Sequence, residues 1–185
     1  MAVCYPNFPN GACCAEDEKG GVPMKRMACL LLCVLGLVSL SACTSGDPLE
    51  ELSQTLSVDL SQGTVVEETD THGGFHGDGD RWVAVSFEDQ DLAPALEDAG
   101  WQSLPLPQAL DTLLYGRTDA QGSQGPYTSR MLPRVSEGYY FFRDRFPEAE
   151  DPTDPAEALE RGAFNYTVAL YDEQSRSLYY YEMDT

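Results

Sequence analysis

The feature that most constrains this chain is an apolar run of roughly a dozen residues, Cys29 to Leu40, preceded by Met24-Lys25-Arg26. Positive charge followed by a short apolar stretch is the layout of a secretory signal peptide. The run falls short of the ~20 residues that a membrane-spanning helix requires. It ends in Leu40-Ser41-Ala42-Cys43, whose small residues at 41 and 42 suit a signal peptidase pocket. Whatever folds as a domain must therefore come from the residues that follow, and must fold outside the cytoplasm.

The cysteines mark the same division. All six (Cys4, Cys13, Cys14, Cys29, Cys33 and Cys43) lie at or before position 43. The chain beyond has none to form an internal disulfide, although an exported domain could keep one. Its stability must come from an ordinary core. About 140 residues suffice, since a domain of that size buries roughly two-thirds of its unfolded surface.

A cysteine directly after small residues resembles the lipobox of bacterial lipoproteins, in which the thiol takes a diacylglycerol before cleavage. The resemblance implies lipidation of Cys43 and a partner in the membrane itself, with the chain held on the outer side. Residues 24–42 are then the signal peptide, and residues 43–56 the lipid anchor and tether. Residues 1–23 hold three cysteines and no apolar period. Lys19-Gly20-Gly21 can be encoded by a purine-rich AAA-GGA-GGN, a ribosome-binding site in translation. We read 1–23 as upstream leader and Met24 as the start, against the alternative of a genuine N-terminal extension.

Charge narrows the partners. Three of the 11 basic and three of the 31 acidic residues precede Cys43, so the part from Cys43 onward, with 8 against 28, carries the whole net charge of −20. Such a field repels nucleic acid and anionic lipid surfaces. An acidic balance serves solubility more often than ligand binding.

Periodicity places one domain over 57–185. Gly63 to Thr69 and the alternating Val83, Val85 and Phe87 read as strands joined by a Gly-rich turn, a β-hairpin. Leu92 and Leu96 behind Asp91 read as a short helix ended by Gly100. Leu110, Leu113 and Leu114 behind Pro107 read as a second, ended by Gly116. Residues 117–134 are polar and longer than most connections, hence a mobile or functional loop. Glu137 to Arg143 is apolar on both faces, as in a central strand. Asp154-Pro155-Ala156-Glu157 opens a third helix that stops at Gly162. Residues 164–170 and 178–183 form a second hairpin. Irregular order and antiparallel hairpins predict an α+β fold, with about five strands in a mainly antiparallel sheet and two or three short helices.

Candidate chemistry is sparse. The only histidines, His72 and His76, share the Gly-rich turn with Asp70, Asp78 and Asp80. Imidazole and carboxylate are suitable ligands for Zn²⁺ or Mn²⁺, and glycine would let the backbone bring them together. The spacing matches no established metal signature, however. A bulge and tight turn whose His and Asp side chains bond the backbone is the favoured alternative. Arg143 and Arg145 flank Asp144 at a strand end and could receive a carboxylate or phosphate; pairing with local carboxylates competes with that reading. The tyrosines 139, 140 and 179–181 could form an aromatic platform, but alternation sends at least half of them to a core. There is no Gly-x-Ser-x-Gly, no phosphate-binding Gly-rich loop before a helix, no nucleophilic cysteine beyond the lipid site and no His-Glu-x-x-His.

Three stretches, Thr71-His72-Gly73-Gly74-Phe75-His76-Gly77-Asp78-Gly79, Gly138-Tyr139-Tyr140-Phe141-Phe142-Arg143-Asp144-Arg145 and Leu178-Tyr179-Tyr180-Tyr181-Glu182-Met183-Asp184-Thr185, resemble small proteins of clostridia and related Gram-positive bacteria. The resemblance spans roughly 57–185. It implies a single domain and a Gram-positive source, and it brings no activity with it. The function expected is a non-enzymatic, membrane-tethered domain that binds a peptide, glycan or protein. The alternative is a metal-dependent hydrolase that uses His72 and His76 on a divalent metal.

Overall fold

A computed structural model of the chain describes residues 46–73 and 77–185. Cys43, the signal segment and the leader lie outside the described residues, as does His76. In chain order the elements are α1 (Pro48–Leu56), β1 (Thr64–Asp70), β2 (Gly79–Ser86), α2 (Ala93–Asp98), β3 (Gln102–Ser103) and α3 (Gln108–Tyr115). They continue with β4 (Arg117–Asp119), β5 (Gly122–Gln124), β6 (Gly138–Asp144), α4 (Pro155–Arg161), β7 (Tyr166–Asp172) and β8 (Ser177–Asp184). Among the described residues, no helix is long and apolar enough to cross a membrane.

The folded unit starts earlier than the sequence implies. Asp47 caps α1 by accepting the Leu49 amide at 3.0 Å, and Pro48 occupies the first turn, where a missing N–H costs nothing. Leu52 and Leu56, one turn apart on one helix face, are both buried. The segment expected to be tether through residue 56 therefore gives its second part, from Pro48, to the core. Each buried leucine contributes about 1.5–3 kcal/mol, more than an exposed spacer can offer against ordering.

Six strands form one antiparallel sheet in the order β1-β2-β8-β7-β6-β3, and β4 and β5 form a separate two-stranded ribbon. The α+β class and the two long hairpins agree with the sequence; the strand count exceeds the expected five. Alternation along each strand divides the core in two. Val83, Val85, Tyr171, Leu178 and Tyr180 face Leu52 and Leu56 of α1 and Leu96 of α2. Trp82, Val168, Leu170 and Tyr181 face Leu110, Leu113 and Leu114 of α3 and Ala158 of α4. The sheet is thus a middle layer, which is why β7 is buried along nearly its whole length.

Helices alone do not cover the second face. Residues 117–134 do part of that work and do not form a free loop. Tyr127 donates its amide to the Leu113 carbonyl at 2.8 Å, Ser129 donates its amide to the Tyr181 hydroxyl at 3.0 Å, and Leu132 is buried. Arg130 pairs with Glu67 at 2.8 Å and stacks over Trp82. Buried tyrosines act as pins in a domain without disulfides. Tyr166 donates to the Tyr127 carbonyl at 2.9 Å, and Tyr171 accepts from the Leu92 amide at 3.3 Å. Burial pushes the phenols of Tyr166, Tyr171 and Tyr181 above their ordinary value. Tyr180 and Tyr181, two of the five tyrosines that could have formed an aromatic platform, are therefore core.

The two sheet edges differ. The outer edge of β1 is guarded by a bulge between Val65 and Glu67 and by exposed acidic side chains. Both devices discourage strand addition. On the opposite edge, the only strand paired with β6 among the described residues is the two-residue β3, which faces Tyr139 and Tyr140.

Candidate functional site

The Gly-rich turn joins β1 to β2. Thr71 extends the ladder by donating its amide to the Asp80 carbonyl at 2.9 Å. The Asp70 carboxylate then accepts the His72 amide at 2.8 Å, a local bond that bends the chain out of the strand. The same oxygen lies 2.8 Å from His72 Nδ1, and Asp184 Oδ2 lies 3.2 Å from Nε2. The ring sits against the start of β2, where a Cβ on Gly79 would come within 2.7 Å of the His72 backbone. Burial works to raise the Asp70 carboxyl, but the His72 amide and ring outweigh it and hold it below the usual range.

The five residues that could serve as metal ligands are thus placed unevenly. Asp70 and His72 are in contact. Asp80 instead accepts from the Thr71 and Ser129 hydroxyls, at 2.6 and 2.5 Å. Asp78 is exposed. His76 lies outside the described residues. Among the described residues, no group of three or more His, Cys, Asp and Glu side chains is gathered as a metal would require. What His72 does is tie the mouth of the first hairpin to Asp184 on β8, a contact that sequence spacing could not reveal.

The two arginines that could receive a ligand have separate fates. Arg145 is occupied by the chain's own acids, Glu182 at 2.6 Å and Asp184 at 3.0 Å. It also donates to the Met183 carbonyl at 3.2 Å. Arg143 is exposed. It is the only one of the eight arginines beyond Cys43 whose side chain takes part in no ion pair, hydrogen bond or ring stacking among the described residues. Arg81, Arg117, Arg130, Arg134, Arg145 and Arg161 hold carboxylates, and Arg176 donates to the Glu88 carbonyl.

Arg143 stands at a groove of about 650 Å³ that runs along the edge of β6. Its walls are built by the end of α2. That helix closes with the Gly100 amide on the Glu97 carbonyl and the Trp101 amide on the Leu96 carbonyl. This is the Schellman pairing that glycine permits, and it turns the next side chain inward. Trp101 is buried, with its indole N–H on the Leu56 carbonyl at 3.4 Å and its ring 5.6 Å from that of Phe141. Because the chain dives at Trp101, β3 can begin only at Gln102. The far end of the groove is closed by Pro152, whose carbonyl accepts the Asp144 amide at 2.7 Å.

Between these two closures the outer edge of β6, away from β7, has no partner strand among the described residues. Odd-numbered residues turn their backbone groups to β7: Glu137 accepts from Glu173, and Arg145 donates to Asn165. Even-numbered residues turn theirs outward: Gly138 accepts from Leu104, and Asp144 donates to Pro152. An antiparallel strand alternates in this way along its length. Phe142 therefore directs both its N–H and its C=O into the groove, and neither has a protein partner among the described residues.

No protein-family model, curated protein or solved structure matches the chain. The groove must accordingly be judged on its own chemistry. Trp101, Gln102 and Phe142 carried no site signal in the sequence, because a missing neighbour strand leaves no pattern in the strand that lacks it. The nearest available sign was the order helix, glycine, tryptophan, two polar residues, which fixes where β3 starts.

Proposed function

We propose that the chain is a lipoprotein of a Gram-positive cell, anchored through lipid on Cys43, whose domain stands outside the membrane and binds a peptide, glycan or protein partner. The observation that carries the binding part is the groove at β6. It joins an apolar wall, an unpaired guanidinium and an open backbone position, in a volume within the usual range for ligand sites. Anchoring rests on the order of charge, apolar run, small residues and cysteine from Lys25 to Cys43. The net charge of −20 disfavours electrostatic adsorption to anionic lipid, so lipid on Cys43 is the means of attachment.

Binding is tested by titrating the isotopically labelled full chain, in mild detergent, with peptide and glycan fragments released from a Gram-positive envelope. Resonance shifts are expected to gather at the Trp101 indole, Gln102 and Arg143. Shifts confined to other surfaces, or none with any fragment, would sink the groove as the site. Anchoring has its own readout: the membrane-extracted protein should begin at Cys43 and carry the mass of a diacylglycerol. A mass that retains residues 24–42 without lipid contradicts it.

A further inference from the structure

The groove can be assigned a class of ligand, an inference that rests on the binding reading above. The open stretch of β6 lies between Tyr140, which faces Gln102, and Asp144, which is bonded to Pro152. Four residues of strand span roughly 13 Å. A longer extended chain laid along this edge would run into Gln102 at one end and Pro152 at the other. In line with the sheet there is room for two or three residues only, so the gap favours a chain terminus over the middle of a strand.

Charge selects which terminus. The groove borders Arg143, the one guanidinium left free among the described residues, at the end closed by Pro152 and Thr153. A carboxylate meeting guanidinium gains a charge-assisted, often two-pronged, hydrogen bond; an amino terminus would be repelled. Where every other arginine among the described residues is engaged, a free guanidinium at a groove is a complementary partner for an incoming acid. The Phe142 N–H and C=O supply the main-chain bonds of strand addition. Trp101 and Phe141 supply an apolar wall for one side chain.

We propose that this gap captures the C-terminal end of an extended peptide, with its main chain on Phe142 and its terminal carboxylate on Arg143. The probe is a pool of N-acetylated tripeptides with free C-termini, compared with the same pool amidated, titrated into the full chain in mild detergent. The free-acid pool is expected to bind at least about ten-fold more tightly than the amide pool, the equivalent of one charge-assisted bond. The Phe142 amide should become protected from exchange as it binds. Arg143→Gln, at an exposed position, should keep the fold and lose the preference, and Arg143→Lys should keep part of it.

Equal affinity for acid and amide, or a preference that survives Arg143→Gln, overturns the proposal. Binding that leaves Phe142 unprotected places the peptide elsewhere and overturns it as well. If neither pool binds while a glycan fragment shifts Trp101 and Gln102, the terminus proposal falls and the binding-domain reading stands. If nothing in either experiment touches the groove, both fall.

Discussion

Gly138→Ala is expected to be the most damaging single substitution in the sheet, costing at least ~3 kcal/mol and lowering the denaturation midpoint accordingly. Two independent costs combine at this residue. Its φ of 135° lies where side chains are rarely tolerated. A Cβ at this position would also overlap the Tyr171 carbonyl oxygen. That oxygen belongs to β7, the most buried strand, so it cannot retreat as a flexible side chain could. Backbone strain alone is worth ~1–3 kcal/mol, and displacing a packed strand adds the cost of disturbing an interior at crystal-like density. Gly138 is also where the Leu104 amide is received at 2.9 Å, so the same change should loosen β3 and widen the groove. Equilibrium denaturation of Gly138→Ala beside Gly162→Ala is the test. Gly162 also has positive φ, 73°, but a Cβ there would meet nothing within 4 Å, so its loss should be the smaller. Equal losses would mean that the approach to Tyr171 carries no weight.

Asp144→Ala should follow closely, at ~3–5 kcal/mol. The Asp144 side chain has no exposed surface and lies 2.5 Å from Arg161, which is itself 18% exposed. It also accepts the Phe146 amide at 2.9 Å. Removing the carboxylate leaves a mostly buried guanidinium with only Glu157 at 3.4 Å as an ionic partner. The cost is that of an uncompensated charge, so taking away the charge should restore stability. Asp144→Leu combined with Arg161→Met is therefore expected to recover most of the loss, and a double-mutant cycle should show a coupling of several kcal/mol. If the double variant is as unstable as Asp144→Ala alone, the packing of the carboxylate, and not its charge, holds α4 to β6.

Much of the fold was legible because the burial of each long strand follows its own residues. The period-two pattern of Val83, Val85 and Phe87, and of Tyr166, Val168 and Leu170, marks strands whose alternate side chains enter opposite cores. The Asp154-Pro155 start of α4 is realised with the Asp154 carboxylate on the Ala156 amide. Glu157, expected to reach back within the cap, instead accepts the Glu150 and Asp151 amides. Neither α1 as a core helix nor the short strands were legible. Leu49, Leu52 and Leu56 show helical spacing, but their burial depends on a sheet surface assembled from distant residues. Gln102 and Ser103 of β3 are exposed and follow no alternation, and the same is true of most of β4 and β5.

The candidate site divides along the same line. That a turn aspartate, Asp70, bonds the nearby backbone at His72 is local and was legible from the turn; Asp184, which meets the far side of the His72 ring, is 112 residues away. Arg143 and Arg145 look equivalent in sequence. They differ because β8 ends beside Arg145, bringing Glu182 and Asp184 with it.

The central claim is that β6 offers an open backbone position at Phe142 within a ligand groove, and amide hydrogen exchange tests it most directly. In the free protein, the Phe141 and Arg143 amides, turned to β7, and the Asp144 amide, held by Pro152, should exchange slowly. The Phe142 amide among them should exchange faster by orders of magnitude, as exposed strand edges do. A Phe142 amide as protected as its neighbours, with no ligand present, would mean that the edge is already covered and would contradict the claim.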